Sequence, residues 1–166
     1  MARTVIVALV AGLLALQAPG VGAQRGRAAT VLEYRLEAVS GAGRSTETFR
    51  WRDGSKSVEL EPEPFMTVAD VQSATAIPQK MAPGRFSIQL VHTPAGARRF
   101  RAVANRDRER QFSIVFDGAI VQSYAFPPPP KDVDDRASQI YGPFSRDEAT
   151  AIVRAIERAI HARPPR

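Results

Sequence analysis

Two Asp-Gly pairs, Asp53-Gly54 and Asp117-Gly118, each stand between stretches in which apolar and polar residues alternate, and nothing else in the chain constrains its fold as much. Alternation with a period of two marks a strand buried on one face. An Asp-Gly pair between two such stretches predicts a tight hairpin, because a type I′ turn needs positive φ at both central residues. Phe49 and Trp51 lead into the first pair, and Val58 and Leu60 lead out. Phe112, Ile114 and Phe116 lead into the second, and Ile120 to Ala125 lead out. Leu32, Tyr34, Leu36 and Ala38, alternating with Glu33, Arg35 and Glu37, predict a further half-buried strand, as do Phe86, Ile88 and Leu90 after the Pro83-Gly84 turn. Shorter strands are expected over 74–77 and 138–141.

Two helices carry their own start signals. Thr93 followed by Pro94 offers a capping hydroxyl and then a proline where its missing N–H costs nothing. Ala97, Phe100, Val103 and Ala104 form the apolar stripe of that helix, with Arg98, Arg99 and Arg106 directed away from it. Ser145 and Glu148 make a capping box, and Ala149, Ile152, Val153, Ile156, Ala159 and Ile160 share one face of the helix that follows. Thr67 and Asp70 suggest a shorter capped turn. Pro127 to Pro130 must be extended and cannot donate to a sheet ladder, so a neighbouring strand is expected to keep an unpaired edge.

The first 23 residues read as a secretory signal peptide, cleaved after Ala23. Arg3 gives a positive start, Val5 to Leu16 is apolar, and Val21-Gly22-Ala23 is a small-residue run. A membrane-spanning helix would need about 20 apolar residues, and no later stretch approaches that. The chain has no cysteine, which excludes disulfides and leaves stability to the core alone. Residues 24–64 are expected to form a β-rich extension and 65–166 the main α+β domain. The net charge is +6, carried mostly by arginine, with Lys56, Lys80 and Lys131 as the lysines. For an exported protein this favours anionic lipid or envelope polymers over nucleic acid.

Motifs for catalysis or cofactors are lacking: no nucleophile elbow, phosphate loop or dinucleotide fingerprint occurs. His92 and His161 stand apart without a second histidine or a cysteine at ligand spacing. Asp132, Asp134 and Asp135 lack the glycine and distal glutamate of a calcium loop. No enzyme activity, metal or cofactor is therefore expected. Arg98, Arg99, Arg106, Arg108 and Arg110 are the candidate contacts for an anionic partner.

Three stretches carry a resemblance. Val91-His92-Thr93-Pro94-Ala95-Gly96-Ala97-Arg98-Arg99-Phe100 resembles the "L-T-x-x-G-A-x-x-F" of the periplasmic head of the protein-export subunits SecD and SecF. The run Ser113 to Ile120 resembles their "I-V-L-D-G-x-V" hairpin, and Ile140 to Ala149 their "I-x-G-x-F-T-x-E-E-A". Thr67, Asp70 and Ala74 fit the lead-in "T-x-x-D-I-x-x-A". Where that family continues with Ser-Ala-Pro after its hairpin, this chain has Gln122-Ser123-Tyr124 and the proline run. The resemblance implies a ferredoxin-like α+β fold, an antiparallel sheet with two helices on one face, here with the N-terminal β extension. It also implies a non-catalytic envelope module that binds polypeptide or a partner protein, the alternative being docking on an anionic surface through the arginines. Within the motifs, Thr93, Gly96, Ala97, Phe100, Asp117, Gly118, Gly142, Phe144, Ser145 and Glu148 read as fold determinants.

Overall fold

A computed structural model describes residues 31–39, 43, 45–126 and 136–162. The leader, the proline run, Asp132, Asp134, Asp135 and the closing prolines lie outside these residues. The chain is α+β, with every strand pair antiparallel and two helices against a common core.

The strands form three sheets. In the first, β1 (Leu32–Leu36) lies between β4 (Met66–Thr67) and β7 (Gln111–Phe116), and β8 (Ala119–Ala125) follows β7. In the second, β2 (Glu47–Arg50) pairs with β3 (Ser57–Leu60). In the third, β6 (Phe86–His92) lies between β5 (Val71–Pro78) and β9 (Ala137–Phe144). Helices α1 (Pro94–Arg106) and α2 (Arg146–His161) start at Thr93 and Ser145 as expected, each hydroxyl accepting from the backbone N–H three residues on. Thr67 and Asp70 form a second capping box around a single 3-10 turn.

The main core joins Leu32, Tyr34 and Leu36 of β1 to Ile88 and Leu90 of β6, Phe112 and Ile114 of β7, and Ile152 and Ile156 of α2. Phe65, Phe100, Phe112 and Phe126 pack edge-on or tilted against one another, the closest pair being Phe112 and Phe126 at 4.7 Å between ring centroids. A smaller core of Phe49, Leu60, Val115 and Ile120 lies under the β2–β3 hairpin.

Strand β1 departs from the half-buried reading: all five of its residues are buried. It is a central strand, and its second face is covered as well. Arg35 on that face is only 3% exposed, and its guanidinium bonds the Glu33 carboxylate and the backbone carbonyls of Glu61 and Pro62. It also lies 4.8 Å from the centroid of the Phe49 ring. A charge can be buried when its donors are satisfied in this way.

The two Asp-Gly turns also differ. Asp117 and Gly118 both have positive φ, 48° and 77°, which is the expected type I′ turn. At the other pair only Gly54 has positive φ. There the hairpin ends in a wider loop, with Trp51 N–H donating to Lys56 C=O and Gly54 N–H to Trp51 C=O. The cause is tertiary. Trp51 and Arg52 turn toward β8, where Arg52 N–H donates to the Ile120 carbonyl and Trp51 bridges Ile120.

Candidate interaction surface

The five candidate arginines separate once they are folded. Arg98 and Arg108 are exposed and have no ion pair among the described residues. Arg99 places one guanidinium nitrogen 2.8 Å and 2.9 Å from the two oxygens of the buried Asp70 carboxylate, tying α1 to the 3-10 turn before β5. Arg106 bonds Asp107 at 2.7 Å. Arg110 lies inward, donating to the Glu61 carboxylate and the Glu37 carbonyl, both at 2.7 Å. A continuous anion-binding stripe is thus not assembled. Sequence spacing put the five close together; Asp107 is a neighbour in sequence, but Asp70 and Glu61 come from the 3-10 turn and from the connection after β3, which spacing cannot reveal.

His92 is 4% exposed and sits among the aromatic rings, with Nε2 2.7 Å from Ser138 Oγ. Burial pushes its pKa down to about 4, so the ring is neutral near pH 7. Its Nδ1 and the Tyr34 hydroxyl beside it make no well-aligned hydrogen bond among the described residues, although the Asp70 backbone carbonyl favours the charged ring and Ser138 the ionised Tyr34. The one nearby carboxylate, Asp70, already accepts from Arg99 and from Thr67 N–H. A serine is activated by a histidine that a third group orients, and among the described residues no carboxylate hydrogen-bonds the His92 ring. Among the described residues no cluster of three His, Cys, Asp or Glu could hold a metal ion.

The family-motif residues sit where the chain bends or packs. A Cβ on Gly96 would lie 2.4 Å from the Asp70 carbonyl oxygen, so this glycine lets α1 approach that turn. A Cβ on Gly142 would strike the Phe144 ring, which is itself buried in the main core. Ala97 is buried, and Phe100 packs against Phe65 and Phe112.

The third sheet presents a different kind of surface. Its inner face enters the core through Ala74, Ile88, Leu90 and Ile140. By strand alternation its outer face carries Ser73, Thr75 and Ile77 from β5, Gln89 and Val91 from β6, and Ala137, Gln139 and Tyr141 from β9, with Ser87 of β6 fully buried between them. None is charged, although 24% of the chain is. Tyr141 is 54% exposed on this face, and Met81, at the tip of the β5–β6 hairpin, is 96% exposed. The free edge of β9, which the proline run was expected to leave open, is closed by a side chain. Tyr124 Oη accepts from Tyr141 N–H and donates to Gln139 C=O, both at 3.0 Å.

Comparison with known proteins decides the family. The family model "SecDF, P1 head subdomain" matches residues 45–158, more than half of the chain. The chain belongs to this family. Two solved SecDF structures share the fold of this SecDF head. One, described as a membrane component that enhances protein export, has a TM-score of 0.57 at 22% identity, over 77% of this chain and 61% of that one. The other, SecDF in a super-membrane-facing form, has a TM-score of 0.57 at 21% identity, over 77% of this chain and 18% of that one. The head chain therefore spans less than two-thirds of either relative. No curated protein matches it. Among its described residues no helix is long and apolar enough to cross a membrane.

Proposed function

We propose that this SecDF head is a non-catalytic, exported module that binds extended polypeptide in the cell envelope as part of protein export. The observation that carries this reading is the uncharged outer face of the β5–β6–β9 sheet. Charged residues are the ones most depleted from the centre of protein interfaces, and Tyr and Met are among those enriched there. Family membership supports the link to export, and the neutral His92, whose ring bonds no carboxylate among the described residues, gives no support to acid–base chemistry. Binding of a reduced, alkylated, permanently unfolded protein tests the proposal by fluorescence anisotropy. Weak binding is expected, little changed between low and high salt, and reduced by Tyr141→Glu. The paired change Arg98→Gln with Arg108→Gln should leave it intact. Loss of binding with salt or with the paired change would favour the anionic-surface reading, since contacts between exposed charges are screened by salt.

A further inference from the structure

We infer that the outer edge of β5 is where an extended polypeptide adds as a further strand, with Ala76 as its backbone anchor. This rests on the polypeptide-binding reading above and says where on the fold that binding occurs. The edge follows from strand parity. Ala74 N–H points away from β6, because it donates to Glu157 Oε1 of α2 at 2.7 Å. In an antiparallel pair the residues that bond the partner strand alternate with those that do not. The register Ala74↔Leu90, Ala76↔Ile88 and Pro78↔Phe86 therefore turns the backbone groups of all three outward. Two independent features agree. Pro78, which has no N–H, occupies an outward position, where proline is tolerated. On the far side, Gln139 and Tyr141 of β9 also face outward, toward Tyr124.

The edges differ in what closes them. Tyr124 closes β9, and β8 receives Arg52 N–H at Ile120. Strand β4 is two residues long. On β5, Glu157 closes the Ala74 N–H and Pro78 has none to offer. Between them, the N–H and C=O of Ala76 have no partner on that side among the described residues. The edge thus presents one donor and the carbonyls of Ala74, Ala76 and Pro78, a pattern that an extended backbone complements and a charged surface does not. The exposed Met81 offers an apolar contact beyond the end of the same strand.

The test uses the purified full chain with the unfolded, alkylated protein as probe. Ala76→Pro removes the donor at an outward position, as Pro78 already does two residues on. It should weaken binding about tenfold, the size of one or two lost net hydrogen bonds. Amide hydrogen exchange supplies a second readout that does not depend on the variant folding: the Ala76 N–H of the wild-type chain should gain protection when the probe binds. Wild-type binding with neither effect would overturn the edge and leave the polypeptide-binding reading standing. Absence of wild-type binding would overturn both.

Discussion

Gly96 on α1 lies against the Asp70 carbonyl so closely that a Cβ there would sit 2.4 Å from its oxygen, while Asp70 holds Arg99 of the same helix. Backbone and side chain of one residue thereby fix where the helix enters. Because the obstructing atom is backbone, it cannot swing aside. Gly96→Ala should destabilise by about 1–3 kcal/mol through overpacking, measured by urea unfolding. An unchanged midpoint would mean that α1 packs elsewhere.

The Asp117-Gly118 turn should depend on its glycine. Gly118 has φ of 77° with open space around it, so conformation and not crowding is at issue. Gly118→Val should cost more than about 1 kcal/mol, because a β-branched residue at positive φ is strained. A thermal midpoint equal to that of the wild type would refute the assignment.

Ser145→Ala should cost about 1 kcal/mol through the lost cap of α2. The same capping box has an acid signature. The Glu148 carboxylate accepts from Ser145 N–H, and this bond together with the Ser145 hydroxyl, which Ser145→Ala removes, holds the carboxyl below the usual carboxylate range. The carboxylate is therefore favoured in the folded state, and its contribution is present above the unfolded pKa and lost as pH falls through the folded one. NMR titration of Glu148 in Ser145→Ala should show its pKa moving up.

His92 should make the fold acid-sensitive. Its folded pKa of about 4 lies below the ordinary 6.5, so the unfolded chain binds more protons between those values. Stability then rises with pH across that window and is lost as pH falls from 6.5 toward 4. From pH 7 to pH 4.5 this one group should remove about 2–3 kcal/mol. Urea titrations at the two pH values check it, and His92→Gln should flatten that part of the dependence.

Arg35→Met should destabilise by about 3 kcal/mol, because it leaves the buried Glu33 carboxylate without its partner. Arg35→Met combined with Glu33→Leu should cost less than the two single changes added together. Strict additivity in a double-mutant cycle would show that the pair is not coupled.

Much of the local structure was legible in the chain. The Thr93 and Ser145 caps, the apolar faces of both helices and the type I′ turn at Asp117-Gly118 follow from hydrogen-bonding groups and φ preferences within a few residues. The motifs around Gly96, Asp117-Gly118 and Gly142 are local too, and they carry the resemblance to the family. Strands β5 and β9 run past the expected 74–77 and 138–141, to Val71 and to Phe144, because register shifts at both places interrupt the alternation that marks a strand.

Of the candidate surface, sequence supplied only the arginines, and folding redistributed them. Arg99 and Arg110 meet Asp70 and Glu61, residues 29 and 49 positions away. The uncharged sheet face is spread over three strands, and Tyr124 and Glu157 reach sheet edges from a strand and a helix of their own.

By itself, then, the sequence determined the Asp117-Gly118 turn, the caps and the helix faces, since each depends on the chemistry of neighbouring residues. Tertiary structure decided that β1 is central, that Arg35 is buried, that Asp53-Gly54 is not a type I′ turn and that β5 keeps an open edge. Each of those outcomes depends on which distant backbone or carboxylate arrives to satisfy a polar group, and the local pattern holds no record of that.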